Sequence, residues 1–295
     1  MKLSEIQIRD PYVYTENGRY YLYGSTSRDI WHDELGCFEA YVSADLREWQ
    51  PLGDVFDRPQ GYWGTKNFWA PELHRYEGKY YLFASFKAEG VCRGTAVLKS
   101  DSPEGPFRPW SERALTPATW ECLDGTLYVE DGAPYLVFCH EWVQVGDGEI
   151  LYMPLTHDLS APAGEPTLMC RAGEAAWARV VKHSSGMSGY VTDGPNMYKT
   201  ASGALLMLWS TLSPAGYAIG CARSANGRLS GPWTHEAKPL FDKDGGHGMI
   251  FTAFSGKKYL SIHSPNNTPE ERALFIETCE RGDTLYIPQD ADIIR

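Results

Sequence analysis

Three aspartates stand beside proline or glycine at the mouths of similar hairpins. Asp10 opens "RDPYVYTENGRYYLYGST" (9–26), Asp124 opens "LDGTLYVEDGAPYLVFCHEW" (123–142), and Asp193 opens "TDGPNMYKTASGALLMLWSTL" (192–212). A fourth carboxyl, Glu141, closes the second of these stretches. Taken singly, an Asp before Pro or Gly needs no explanation beyond starting a turn. Gathered in one place, the same groups would do more. Like charges in a shared site push their pKa values apart, so one carboxyl can work as an ionised base while another keeps a proton to donate. A cluster of carboxylate oxygens would also suit a structural cation. Which chemistry applies depends on whether the fold brings the carboxyls together.

The hairpin is repeated along the chain. "WAPELHRYEGKYYLFASF" (69–86) and "GHGMIFTAFSGKKYLSIHSPN" (246–266) complete a set of five, with turns at Asn17-Gly18, Glu77-Gly78, Asp131-Gly132, Ser202-Gly203 and Ser255-Gly256. Aromatic and β-branched residues flanking such turns are a strong local hairpin signal. A more polar pair of strands follows each hairpin, as in "FEAYVSADLREWQP", "GTAVLKSDSPEGPFRPW" and "YAIGCARSANGRLSGPWTHE". Five copies of four short strands, at intervals of roughly fifty to seventy residues, predict an all-β, five-bladed β-propeller. A β-sandwich would show the alternation without five copies of one hairpin. A single propeller domain is expected over 1–295. The stretch 161–189 then connects blades, and 273–288 supplies the two outer strands of the last blade.

In a propeller the first strands line the axis in the same direction, so their starts share one mouth, and the second strands return to it. The starts are Asp10, Trp69, Asp124, Asp193 and His247; the returns end near Ser25, Phe86, Glu141, Thr211 and His263. Aspartates far apart in sequence therefore converge, with Glu141 beside them. Such a gathering of titratable groups is a candidate functional site.

Bulk properties narrow the ligand. The chain of 295 residues carries a formal net charge of -11, which argues against nucleic acid and anionic membrane as partners, since both require a basic surface. No apolar run approaches membrane-spanning length. The start, "MKLSEIQIRD", lacks the apolar core of a signal peptide, so cytoplasmic location is the default expectation. Seven cysteines form no CxxC pair, which favours reduced thiols over a zinc site. Ten Trp and eighteen Tyr could form platforms for sugar rings. The glycine-rich pieces "VGDGE" and "DKDGGHG" lead into no helix that could receive phosphate, and no Ser/His/Asp hydrolase elbow is visible. Nothing in the sequence specifies an oligomeric state.

On "RDPYV", "WAPEL", "LDGTLYVEDG", "DGPNMYK" and "GHGMIF", in that order over essentially the whole chain, the sequence resembles glycoside hydrolase family 43. The resemblance implies an inverting, exo-acting glycosidase that removes α-L-arabinofuranosyl or β-D-xylosyl units from plant-derived oligosaccharides. By position it makes Asp10 the general base, Asp124 the residue that holds and tunes the acid, and Asp193 the general acid. One departure is plain: the family usually has Glu before Gly-Pro in the fourth blade. Asp193 is one methylene shorter, and Glu141, with its longer reach, is the alternative acid. Trp69, Phe86, His140, Trp142 and His263 are expected around the sugar, each with a role in the core as its competing reading. The resemblance implies no organic cofactor but a calcium ion in the central channel, with His247 acting mainly through water. Two other readings stay open: a propeller that only binds glycans, and a retaining glycosidase or transferase with Asp10 as nucleophile.

Overall fold

The computed structural model describes residues 1–32, 36–182 and 186–295. Three of the predicted turns have both central residues in the left-handed region, Asn17-Gly18 (φ 51° and 75°), Glu77-Gly78 (47° and 77°) and Asp131-Gly132 (51° and 81°). That geometry matches the right-handed twist of the strands it joins and fixes hairpin register locally. Each hairpin forms the inner half of a four-stranded antiparallel sheet, and there are five such sheets. Their inner strands are Arg9–Glu16, Lys66–Tyr76, Cys122–Glu130, Asp193–Lys199 and Gly246–Thr252, and the returning strands are Arg19–Ser25, Lys79–Ala88, Ala133–His140, Leu205–Ser213 and Lys258–Ser264. This is the predicted five-bladed β-propeller.

The core lies between blades. One cluster joins Leu22, Tyr41 and Trp49 of the first blade to Phe251 and Phe275 of the fifth, and another joins Tyr23 and Phe38 to Leu82 and Phe86 of the second. Corresponding clusters occupy the remaining three junctions. Each sheet is therefore apolar on both faces, and burying them requires a neighbour on each side, which closes the ring. The chain start contributes to closure through Ile8 N–H, bonded to Glu271 O at 3.3 Å.

Two expectations about the outer strands need correction. Thr167–Arg171, within the stretch expected to be connecting loop, is the outermost strand of blade three, paired with Glu149–Pro154. Only Cys170 in it is buried, so an exposed edge strand shows no apolar alternation to read. The fifth blade takes its outer strands from Arg272–Glu277 and Ile293–Ile294, while Cys279–Arg281 and Thr284–Tyr286 form a separate hairpin. The only α-helix among the described residues is one turn, Trp142–Val145.

One local feature recurs in every blade and positions the site. Near its start each inner strand carries two residues opposite one on the returning strand: Asp10-Pro11, Ala70-Pro71, Asp124-Gly125, Gly194-Pro195 and His247-Gly248. The first residue of each pair has positive φ, at 55°, 47°, 56°, 53° and 46° in order. These are β-bulges, which bend a strand and re-aim a side chain. The starts expected at Trp69 and Asp193 thus lie one residue before the equivalent position, which Ala70 and Gly194 occupy. Glycine is required in the fourth blade: a Cβ on Gly194 would lie 2.6 Å from Cδ2 of His247.

Candidate active site

The bulges are held from the neighbouring blade. Ser25 Oγ accepts from Ala70 N–H at 2.8 Å, Ser85 Oγ from Asp124 N–H at 2.9 Å, and Ser210 Oγ from His247 N–H at 2.8 Å. In blade three Cys139 stands at the equivalent register position, opposite Leu123, and the Gly194 N–H goes instead to Oδ2 of Asp124 at 3.0 Å. The fifth position is filled by His263, whose Nδ1 accepts the Asp10 N–H at 3.1 Å. This ring of side-chain bonds fixes residues that the left-handed backbone would otherwise strain.

Asp10, Asp124 and His247 converge on the axis, all buried. His247 Nδ1 lies 3.1 Å from Oδ1 of Asp10 and 3.6 Å from Oδ2 of Asp124. Ser25 Oγ donates to Oδ2 of Asp10 at 2.7 Å. Burial pushes the Asp10 carboxyl up, but His247, the adjacent Arg9 and the Ser25 hydroxyl outweigh it and leave it below its ordinary value. His263 adds little cationic help: burial and Arg9 push its own pKa down to about 4, and its Nδ1 is occupied in accepting the Asp10 N–H.

Asp124 and Asp193 respond in the opposite direction. Burial and the Asp10 charge raise Asp124 well above its ordinary value, with the Gly194 N–H opposing and Glu141 and Glu72 adding to the rise. Burial and Asp124 raise Asp193 to about 7, against His247 and the Tyr217 hydroxyl, which donates to its Oδ2 at 2.9 Å. The three aspartates thus divide into one carboxylate that stays ionised and a coupled pair that retains a proton. Asp124→Asn removes the neighbouring charge, so the basic limb of the pH–rate profile, expected near pH 7, should move to lower pH. A limb that stays in place would show that Asp124 does not tune the group being titrated.

Glu141 reaches the same region from the return of blade three and forms an ion pair with Arg93. Arg93 also donates to Asn67 Oδ1 at 3.3 Å and lies 4.1 Å from the centre of the half-buried Trp69 ring. Trp69 Nε1–H donates to Ile30 O at 2.9 Å, and the exposed Trp31 packs edge-on against its ring at 5.3 Å. Trp69 therefore fits an aromatic wall, although one face is already covered by a guanidinium.

Other expected sugar contacts need correction. Phe86 has no exposed surface and lies among Phe38, Phe56, Tyr62, Trp63 and Phe68, because its strand position faces the junction of blades one and two. Phe86→Ala should lower unfolding stability by about 3–5 kcal/mol, read as a fall in denaturant midpoint. A loss under about 1 kcal/mol would put it outside the core. His140 is buried and stacked on Trp120 at 4.3 Å, its nitrogens facing Gln144 Oε1 at 2.8 Å and Glu149 Oε2 at 3.3 Å. It has no ring nitrogen left for a hydroxyl. His263 is fully buried and serves the Asp10 backbone rather than a ligand. Trp142 opens the one-turn helix, half-buried, beside Gly189, where an added Cβ would meet its Cε3 at 2.9 Å.

Calcium takes six to eight oxygen ligands, and among the described residues no three His, Cys, Asp or Glu side chains are grouped to supply them directly, so an ion beside His247 would be held mainly through water. Asp10 is engaged by Ser25 and His247, and Asp124 by Gly194.

Comparison with known proteins settles the lineage. The model of the glycosyl hydrolases family 43 matches residues 3–283. The chain belongs to that family. A solved family relative described as an endo-arabinase from Bacteroides thetaiotaomicron VPI-5482 superposes with a TM-score of 0.88 at 40% identity, covering 95% of this chain and 97% of the other. An extracellular exo-alpha-(1->5)-L-arabinofuranosidase from Streptomyces chartreusis is 26% identical over 87% of this chain and 79% of its own length. A xylosidase/arabinosidase 43A from Humicola insolens is 33% identical over 48% of this chain. The chain spans about half the length of the two Humicola insolens proteins it matches, 46% and 48%.

Sequence reasoning missed Tyr217, Arg93 and Asn67 at this site. Tyr217 opens the polar pair "YAIGCARSANGRLSGPWTHE", where nothing in the repeat marks it as facing the site, and Arg93 falls in "GVCRGT" with no motif around it. A signal for the bulge was present in the repeated Pro or Gly after its first residue.

Proposed function

We propose that this chain is an inverting glycosidase that releases terminal α-L-arabinofuranosyl or β-D-xylosyl units from plant-derived oligosaccharides. The observation that carries it is the opposed behaviour of three neighbouring carboxyls, the buried Asp10 and Asp124 on the axis and the half-buried Asp193 beside them. Asp10 is held below the ordinary carboxylate range and Asp193 is raised to about 7. Asp10 accepts a proton from water as the water attacks the anomeric carbon, and Asp193 gives its proton to the departing glycosidic oxygen. Asp124 holds the Gly194 N–H next to the acid and keeps the acid protonated through its charge. An inverting pair stands about 6.5–9.5 Å apart so that water fits beside the base, whereas a retaining pair stands near 5–5.5 Å. The sugar is inferred from the names of relatives, which act on arabinose- and xylose-containing glycans.

A panel of nitrophenyl glycosides, with α-L-arabinofuranoside and β-D-xyloside first, tests the sugar. Proton NMR of the first-formed product tests the stereochemistry. Release of the anomer opposite to that of the substrate is expected; the same anomer would establish the retaining reading. Binding without turnover on every glycoside and oligosaccharide would make the chain a glycan-binding propeller. Cleavage inside a chain is a second reading, favoured by the endo-arabinase name of the 40%-identical structure. Product sizes from linear arabinan separate the two: single sugars for the first, mixed oligomers for the second.

A further inference from the structure

One buried residue touches the acid and has no part in the mechanism so far. Tyr217, at the start of the third strand of blade four (Gly216–Ser224), donates its hydroxyl to Asp193 Oδ2 at 2.9 Å. Its ring lies against His263 of blade five, with centroids 5.5 Å apart and planes 22° from parallel. His263 takes the Asp10 N–H on Nδ1, so its own proton is on Nε2, directed at Asn266 Oδ1 at 3.2 Å. Asn266 Oδ1 also accepts from Arg9 Nη2 at 2.8 Å, and Arg9 Nη1 pairs with the fully buried Glu271 at 2.8 Å. Packed groups thus run without a break from the carboxyl in blade four, through blade five, to the backbone of the carboxylate in blade one. The close approach of the blades here depends on Gly246, where a Cβ would stand 2.8 Å from Cε1 of Tyr217.

We propose that Tyr217 and His263 are a positioning pair that fixes the acid Asp193 and the base Asp10 relative to each other. This rests on the assignment of Asp193 as the acid. Tyr217 holds the short acid by Oδ2, so Oδ1 is the oxygen that carries the proton. An aspartate turning freely about its side-chain bonds would spend much of its time out of reach, and a misplacement of about 1 Å is enough to cost about a hundredfold. His263 holds the base by its backbone, and the ring stack makes the two restraints one rigid body.

The test is Tyr217→Phe, which keeps the stacked ring and removes the hydroxyl. Turnover is read on an arabino- or xylo-oligosaccharide, whose sugar leaving group needs a proton, and on a 2,4-dinitrophenyl glycoside, which needs little. We expect kcat to fall at least about 30-fold on the oligosaccharide and less than about threefold on the aryl glycoside, with KM nearly unchanged. In an Asp193→Ala background the same substitution should add nothing. His263→Leu should slow both substrates alike, because the base serves every leaving group, and His263→Gln, which restores an acceptor for the Asp10 N–H, should recover most of the loss. Equal slowing of both substrates by Tyr217→Phe, or an undiminished effect in the Asp193→Ala background, overturns the pair. So do equal losses in the two His263 variants, a comparison that stands even where Tyr217→Phe does not fold. If Asp193→Ala itself shows no leaving-group preference, the acid assignment fails and the pair with it. If Asp193→Ala shows the preference and Tyr217→Phe does not, the pair alone is rejected.

Discussion

Asp10→Asn should lower kcat by about a hundred- to ten-thousandfold while substrate affinity stays within about tenfold, the range that loss of a general base produces. The substitution is clean for two reasons. Residue 10 has a φ of 55°, and Asn is among the few side chains that accept the left-handed region with little strain. An Asn amide also keeps one oxygen that can accept from Ser25 or His247, the groups that now engage the carboxylate. What it cannot do is take a proton from water. Alanine at the same position would confound lost chemistry with lost backbone geometry. The check is steady-state kinetics on an aryl glycoside, with binding of an oligosaccharide measured separately by calorimetry. Near-full turnover in Asp10→Asn would remove the base from the mechanism and favour the glycan-binding reading.

That result bears on what could be read from the sequence. Asp10, Asp124 and His247 were legible because hairpin repetition gives the blade count, and the blade count gives a common axis. All three occupy the first bulge position, and all three reach the axis. The hairpin repeat makes Trp69 and Asp193 equivalent to them, although each precedes its bulge by one residue. The difference matters because successive residues of a strand point to opposite faces. It explains why Asp193 meets Tyr217 on the side of blade five rather than standing in the Asp10, Asp124 and His247 cluster. Phe86 and His140 failed for a related reason. A returning strand ends at the mouth, but which residues face it depends on the register, and the bulge shifts the register by one. Tyr217 could not be found at all, because contacts across blade junctions leave no periodic trace in a single chain.

The second large effect concerns the acid, where this chain carries Asp193 before Gly-Pro. Asp193→Asn should depress turnover of an oligosaccharide by about a hundredfold or more, and of a 2,4-dinitrophenyl glycoside by far less. The reason is that dinitrophenolate leaves without help, whereas a sugar alkoxide needs a proton as the bond breaks. Burial and the Asp124 charge hold Asp193 near 7, so it has a proton to give at neutral pH and loses it as the pH rises. Activity carried by Asp193 should therefore fall on the alkaline side of pH 7, and that limb should vanish in Asp193→Asn. Glu141 has the longer reach, but its carboxylate is already tied in an ion pair to the half-buried Arg93. Glu141→Gln leaves the half-buried Arg93 without its charge partner, which is destabilising. It should therefore lower stability, and lower turnover of the two substrates by similar factors. The opposite pattern, with leaving-group dependence in Glu141→Gln and none in Asp193→Asn, would transfer the acid to blade three and leave Asp193 as a residue that orients it.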